Sequence, residues 1–143
     1  MSAFVLALFG ALCWGIAPIF GKMGLRGIYT SDGLAARTIV TVLLVWGWMI
    51  ARGGFQRLLI IPKRNWAYLA AEAFLATFAG DLAYYAALKR GDAGQTALIL
   101  AAAPLLTVWS GWFFLAEPIN ATKIIGAALI IIGVALVGLN PAY

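Results

Sequence analysis

The sequence has no histidine, a single cysteine and few charged residues. Without histidine it has no Ser-His-Asp triad, no histidine-ligated metal and no imidazole pH switch. Cys13 alone excludes an intrachain disulfide and a cysteine-rich metal cluster. No nucleophile has a base beside it, so enzymatic catalysis is disfavoured and neither a metal nor a cofactor is expected. Bulky Leu12 precedes Cys13, and no Lys or Arg precedes the first apolar run, so this run is interpreted as a retained helix.

Apolar residues dominate what is present. Hydrophobic residues fill 64% of the 143 positions, glycine adds 16 residues and charged residues only 10%, and the mean hydropathy is +0.98. Because a soluble domain is about one half apolar, too few polar groups are present to cover a water-soluble surface. We therefore predict an integral, multi-pass membrane protein. Its net charge of +5 is attributed to loops near anionic lipid headgroups and not to nucleic-acid binding.

Five apolar runs are each long enough to cross a bilayer core about 30 Å thick, which requires ~20 helical residues. The runs are continuous and do not alternate with polar residues, so transmembrane β-strands are disfavoured. Very short connections make the last three runs antiparallel neighbours. The prediction is an all-α polytopic fold in one domain, residues 1–143, without a large soluble domain. The expected spans are residues 2–21, 34–51, 66–88, 93–115 and 119–139.

Basic residues are divided almost evenly between the two sides that five spans define. One side carries Arg52, Arg57, Lys63, Arg64 and Lys123. The other carries Lys22, Arg26, Lys89 and Arg90, with Arg37 as a fifth near the interface. A clear excess of Lys and Arg on one side fixes a single orientation, so the near-zero bias predicts insertion in both orientations. The alternative is that the dense basic cluster in residues 52–64 holds its own loop in the cytoplasm.

Charged residues within the predicted spans mark candidate sites, because a charge is costly in the bilayer. The second span begins on the side of the membrane where the third span ends. Arg37 and Asp81 are therefore both expected roughly 5 to 10 Å below that membrane surface, which makes an ion pair geometrically possible. Such a pair either has a structural role and holds the second helix against the third, or it takes part in substrate binding or proton coupling. Glu72, nine residues before Asp81, is assigned to the opposite face as an interfacial carboxylate. Helical spacing surrounds Asp81 with side chains suited to an amine or a planar ligand, namely Phe74, Thr77, Phe78, Tyr84 and Tyr85.

The remaining spans carry a polar stripe, a central tryptophan and a glycine face. The stripe in the fourth helix is typical of helix contacts or water-filled cavities, and consists of Thr96, Leu100, Ala103, Thr107 and Ser110. Pro104 permits a kink there. Trp14 lies near the middle of the first span, where it is expected to face protein or a cavity. Gly126 and Gly133 predict close helix packing in the last span.

An ordered set of short motifs resembles a known family. The motifs are Leu12-Cys13-Trp14-Gly15, Ala36-Arg37, Ala86-Ala87-Leu88, Ala103-Pro104, Leu115-Ala116-Glu117-Pro118 and the run from Gly126 to Gly133. Together they resemble the EamA repeat of the drug/metabolite transporter superfamily over essentially the whole chain. Most EamA proteins carry two such repeats, inverted in ten helices, and export amino acids or other small metabolites. The resemblance implies that this chain is one half of an inverted-repeat ten-helix transporter.

The last helix is also similar to the dimerisation helix of the small multidrug resistance proteins, which are four-helix antiparallel homodimers. These proteins have an essential glutamate eight residues before a lysine; here Trp14 precedes Lys22 by that interval. Their glutamate-based exchange is therefore not carried over, and any coupling falls to Asp81 or Glu72. Glu117 matches an EamA position, but its place before the last helix suits a helix cap equally well.

These expectations combine into one mechanism, in which inverted repeats enclose a central site and alternate its access by rocking. A single repeat reaches that architecture by pairing with an oppositely inserted copy. We expect a secondary transporter in the bacterial inner membrane, exporting small metabolites, amino acids or amphiphilic cations as an antiparallel, dual-topology homodimer. Alternatives are an accessory subunit that completes a heterodimer and a flippase for lipid-linked intermediates. The expected substrate or coupling residues are Asp81, Arg37, Trp14, Tyr84, Tyr85, Thr107 and Ser110.

Overall fold

The computed structural model describes residues 2–139, and every regular element among them is a helix. The elements are α1 (Ala3–Gly24), α2 (Thr30–Ala51), α3 (Phe55–Leu59), α4 (Lys63–Glu72), a π-helical segment (Ala73–Gly80), α5 (Asp81–Arg90), α6 (Ala93–Leu100), α7 (Ala103–Leu115) and α8 (Ala121–Gly138). The all-α prediction is thus confirmed for the described part of the chain.

Four helical stretches are long and apolar enough to cross a membrane. They are Ala3–Gly24, Thr30–Ala51, Ala93–Leu115 and Ala121–Gly138. In each of them, no more than 6% of the apolar stretch is buried within the chain. A soluble protein instead buries most of its large apolar side chains. The protein is therefore an integral membrane protein.

The predicted third span, residues 66–88, is not one regular α-helix. It is divided into α4, the π-helical segment and α5, which follow one another without a break. A π-helix bonds each residue to the fifth before it, so it turns less per residue than an α-helix. Side chains before and after the π-helical segment are therefore not related by the 100° per residue of a regular α-helix.

The predicted fourth span is interrupted as well. Ala101 and Ala102 form a turn between α6 and α7, and Pro104 lies in the first turn of α7. Proline is well tolerated there, because the first N–H groups of a helix have no intrahelical partner. The expected kink therefore takes the form of a break between two helices, and the polar stripe from Thr96 to Ser110 is divided between them.

The chain forms two compact units. The middle unit comprises residues 21–89. Its small core contains Leu25, Leu34, Tyr85 and Leu88, of which Leu88 is completely buried. Lys89 fastens the loop before α2, because its ammonium group donates a hydrogen bond of 2.7 Å to the carbonyl of Ile28.

The described part of the terminal unit comprises residues 2–20 and 90–139. Within it, α6 and α7 both pack against α8. Gln95 links α6 to α8 through a hydrogen bond of 3.5 Å from its amide nitrogen to the carbonyl of Val137. The cap of α8 is Asn120, whose side-chain oxygen accepts from the backbone N–H of Lys123 at 2.9 Å. The capping role considered for Glu117 is therefore filled by Asn120, and the helix begins at Ala121.

Candidate functional site

An ion pair joins α2 to α5 in the middle unit. Nη1 of Arg37 lies 2.6 Å from Oδ2 of Asp81, the short distance of a charge-assisted hydrogen bond. The Asp81 side chain is 19% exposed and that of Arg37 is 46% exposed. The ion pair inferred from the sequence is thus present, while its role in transport stays a prediction.

Two tyrosines of α5 extend this cluster. The guanidinium carbon of Arg37 lies 5.7 Å from the ring centroid of Tyr85, within the range of a cation–π contact. Tyr85 is buried, and the ring of Tyr84 lies 5.7 Å from it at an angle of 57°. We call Arg37, Asp81, Tyr84 and Tyr85 the charge cluster. It combines one anion, one cation and two aromatic rings within a single unit.

The backbone before Asp81 is the part of this site that sequence reasoning missed. The N–H of Asp81 is directed at the carbonyl of Ala76, five residues earlier, which is the π-helical pattern. A Cβ placed on Gly80 would lie only 2.8 Å from the backbone oxygen of Leu75. Glycine therefore permits this turn, and Gly80 directly before Asp81 is the one signal that the sequence offers for it.

The π-helical segment bears on two predictions about side chains near Asp81, one for Phe74 and Phe78 and one for Glu72. Phe74 and Phe78 stack on each other with ring centroids 5.8 Å apart, so these aromatic residues do share a face. Glu72 was assigned to the opposite face from Asp81 by counting 100° per residue. That count does not hold across the π-helical segment, so the assignment loses its basis.

Thr107 and Ser110 lie in the terminal unit, on the wall of an open groove of about 480 Å³. The other lining residues are Leu106, Gly111, Phe114, Leu115 and Glu117. The Thr107 hydroxyl donates to the carbonyl of Ala103 at 3.4 Å. The two predicted polar residues are therefore brought together, and a carboxylate joins them.

Glu117 belongs to one of the family motifs but is not among the predicted site residues. Its position follows from the end of α7, where Ala116 adopts a left-handed φ of 52° and the N–H of Glu117 donates to the carbonyl of Gly111 at 3.2 Å. Its carboxylate folds over Gly111, where an added Cβ would lie 3.1 Å from Oε2. Lys123 is its nearest cation, with 3.9 Å between Nζ and Oε2. The groove thus combines hydroxyls with a carboxylate that is accessible from outside.

The other predicted residues lie on open helix surfaces. Trp14 is 81% exposed. A Cβ on Gly126 or Gly133 would meet no atom within 4 Å among the described residues, so this face of α8 is open to a partner helix. Within residues 2–139, no group of three or more side chains is arranged to hold a metal ion.

Comparison with known proteins places these features in context. The sequence profile of the EamA-like transporter family matches residues 1–139. A Sinorhizobium protein named as an uncharacterized transporter in the cobO 3' region is 33% identical over 130 residues, which cover 91% of this chain and 92% of that protein.

Two further relatives differ in length. The uncharacterized protein MJ1333.1 of Methanocaldococcus jannaschii is 25% identical, and the match covers 97% of this chain and 98% of that protein. The uncharacterized transporter YoaV of Bacillus subtilis is 26% identical, and the match covers 90% of this chain but only 46% of YoaV. No solved structure matches. The chain is therefore the size of a single repeat.

Proposed function

The chain belongs to the EamA-like transporter family, and we propose that it is a secondary transporter that exports small metabolites, amino acids or amphiphilic cations by alternating access. The observation that carries the proposal is the Arg37–Asp81 ion pair, which α2 and α5 hold together at 2.6 Å. Charged residues in membrane helices are rare and mark substrate or ion pathways. The groove of the terminal unit, with Thr107 and Ser110, is proposed as a second set of substrate contacts.

The chemistry of the charge cluster favours substrates that carry a charge. Without a bound substrate, the charges of Arg37 and Asp81 neutralise each other, which limits the cost of placing them between membrane helices. A substrate ammonium group would replace Arg37 at the carboxylate of Asp81, and a substrate carboxylate would replace Asp81 at the guanidinium. The rings of Tyr84 and Tyr85 would then contact the apolar or cationic part of the substrate.

The helical run from Lys63 to Arg90 is proposed as a fifth span. At 1.5 Å per residue it is about 40 Å long, enough to cross a hydrocarbon core of about 30 Å. Five spans would make the chain one half of a ten-helix transporter with inverted repeats. The length relation to YoaV, of which the match covers 46%, supports this proposal.

An antiparallel homodimer would supply the second half. The open face at Gly126 and Gly133 on α8 suits the close approach of another helix. The nearly even division of Lys and Arg between the two sides of five spans supports insertion in both orientations. The partner helix is accordingly proposed to come from a second copy of the chain.

Transport is tested by reconstituting the purified protein in proteoliposomes and measuring the flux of radiolabelled amino acids and amines, with and without a pH gradient. Asp81→Asn is expected to lower the flux at least tenfold, because the carboxylate is removed without a change in side-chain size. Asp32→Asn, in the exposed first turn of α2, is the matched control and should remain within twofold of wild type. Equal flux for Asp81→Asn and wild type would contradict the role of the charge cluster.

Topology is tested separately with C-terminal fusions to alkaline phosphatase and to green fluorescent protein. Insertion in both orientations predicts that both reporters are active, since each works on only one side of a bacterial inner membrane. Adding two lysines to the loop between α1 and α2 should bias the signal to one side. Activity of one reporter only, in the wild-type chain, would reject the dual-topology homodimer and favour a heterodimer with another single-repeat chain.

A further inference from the structure

The segment that follows α2, residues 52–64, combines cations with exposed apolar side chains and contains no carboxylate. Its cations are Arg52, Arg57, Lys63 and Arg64, and all four are exposed. The ion pairs of the described residues involve Arg37 and Lys123, so none of these four cations is neutralised by an acidic side chain there. The segment therefore attracts anions.

The chain reversal after α2 brings the guanidinium group of Arg57 to the backbone of Arg52. Gly53 takes a φ of +61°, and the N–H of Gly54 donates to the carbonyl of Met49 at 2.9 Å. After this turn, Nη2 of Arg57 donates to the backbone carbonyl of Arg52 at 3.5 Å. A guanidinium group has five N–H donors, so most of the donors of Arg57 are left for a ligand.

Arg52 is positioned by an aromatic ring at the same helix end. Its guanidinium carbon lies 4.7 Å from the ring centroid of Trp48, and Trp48 is 66% exposed. Tryptophan is enriched where the hydrocarbon meets the headgroups, and a stacked arginine is held in place with its N–H groups free at the edge. Because Arg57 contacts the backbone of Arg52, both arginines are expected near the headgroup level that Trp48 favours.

Apolar side chains on the same segment indicate what covers it. Leu59 and Ile60 are 73% and 78% exposed, and α3 is fastened to α2 by the contact of Phe55 with Trp46, whose ring centroids lie 5.6 Å apart. A soluble anion or a nucleic acid would leave Leu59 and Ile60 in water. A bilayer surface covers both, while its anionic headgroups meet the arginines.

We propose that Arg52 and Arg57, together with Trp48, form a binding site for the phosphate group of an anionic phospholipid. The two guanidinium groups bind the phosphate oxygens, and the acyl chains lie along the apolar surface of α2. Arginine suits this ligand because its planar fork matches two phosphate oxygens at once. Lys63 and Arg64 add attraction without defining the position of the phosphate.

The test uses the purified full chain in detergent and native mass spectrometry with equimolar phosphatidylglycerol and phosphatidylcholine. The wild-type protein is expected to retain phosphatidylglycerol at least fivefold over phosphatidylcholine. The double variant Arg52→Gln/Arg57→Gln should bring this ratio below twofold. The control Arg26→Gln/Arg90→Gln removes the same charge from two other exposed arginines and should keep the wild-type ratio.

A second variant separates geometry from charge. Arg52→Lys/Arg57→Lys keeps both charges but cannot bind a phosphate with a planar fork, and its ratio should lie between that of the wild type and that of Arg52→Gln/Arg57→Gln. An equal loss in the Arg26→Gln/Arg90→Gln control, or no preference in the wild type, would overturn the site. Full competition by inorganic phosphate at the lipid concentration would also overturn it, since the ligand would then be a free anion. None of these readouts depends on transport.

Discussion

Each compact unit contains an ion pair among the described residues. Asp81 pairs with Arg37 in the middle unit, and Glu117 pairs with Lys123 in the terminal unit. The two pairs differ in distance and in exposure. Asp81 lies 2.6 Å from Arg37 and is 19% exposed, whereas Glu117 lies 3.9 Å from Lys123 and is 55% exposed. The first distance is that of a charge-assisted hydrogen bond, and the second exceeds any hydrogen bond. The first pair is thus directly hydrogen-bonded, whereas the second leaves the Glu117 carboxylate without a hydrogen bond from Lys123.

A glycine supports each carboxylate, and the two glycines show the same difference. An added Cβ at Gly80 would meet the backbone oxygen of Leu75 at 2.8 Å, but at Gly111 it would meet the end of the Glu117 side chain at 3.1 Å. A backbone carbonyl within a helix cannot move aside, whereas a carboxylate at the end of a flexible chain can. The charge cluster is therefore rigid at its base, while the groove can adapt.

The largest expected effect concerns transport. It tests whether Asp81 or Glu117 contributes more to the transport rate. Asp81→Asn should lower the proteoliposome flux at least tenfold, while Glu117→Gln should lower it less than threefold. The reason is that Asp81 is fixed next to Arg37 and two aromatic rings, whereas Glu117 is mostly exposed to its surroundings. The two variants are compared at equal protein density in the same vesicles. The reverse order would move the main site to the groove of the terminal unit.

The stability of the two pairs gives the second comparison. Arg37→Leu leaves the Asp81 carboxylate, which is only 19% exposed, without its partner, and should lower the free energy of unfolding by on the order of 2–3 kcal/mol. The double variant Arg37→Leu/Asp81→Leu should recover much of this loss, because it removes the uncompensated charge. The measurement is unfolding by denaturant in detergent micelles, followed as a double-mutant cycle.

The loose pair is the control for that cycle. Lys123→Leu leaves Glu117 exposed to water, so the loss should stay below about 1 kcal/mol, as for surface ion pairs. If both single variants, Arg37→Leu and Lys123→Leu, cost the same, the proposed difference between the two pairs does not exist.

The third prediction concerns the two glycines. Gly80→Ala should lower the free energy of unfolding by about 1–3 kcal/mol, because the new Cβ forces the π-helical segment to shift. Gly111→Ala should cost less than about 1 kcal/mol, since the Glu117 side chain can rotate away. Thermal unfolding of the purified variants in detergent measures both.

Gly47 in α2 is a matched control, because an added Cβ there meets no atom within 4 Å. Alanine favours a helix over glycine by up to about 1 kcal/mol, so Gly47→Ala should be neutral or stabilising. A stabilising Gly80→Ala substitution would show that the π-helical segment does not need this glycine.

Hydrophobicity and charge spacing predicted most of the helical fold and the Arg37–Asp81 pair. Continuous apolar runs identify helices, and two opposite charges at the same depth of neighbouring spans indicate a partner. The π-helical segment before Asp81 was not predicted, because a regular 3.6 residues per turn was assumed for the third span. Pro104 did indicate a kink in the fourth span, but not that it would take the form of a two-residue turn between α6 and α7.

The groove carboxylate was missed for a related reason. Thr107 and Ser110 follow from helical spacing, but Glu117 joins them only because Ala116 adopts a left-handed φ of 52°. Alanine gives no signal for such a turn, since glycine or asparagine is the usual residue there. Spacing within a helix therefore predicted the wall of the groove, and the geometry of the helix end determined its charge.

The smallest expected effect separates the cap of α8 from the groove. Asn120→Ala removes the acceptor for the N–H of Lys123 and should lower the free energy of unfolding by about 1 kcal/mol. Glu117→Ala should change it by less than about half of that, because among residues 2–139 Glu117 makes no cap hydrogen bond and its ion pair with Lys123 is long. A larger loss for Glu117→Ala than for Asn120→Ala would make Glu117 a structural residue of the helix end. A larger loss for Asn120→Ala would instead show that the Glu117 carboxylate contributes little to stability. This is expected of a carboxylate that binds a ligand in the groove.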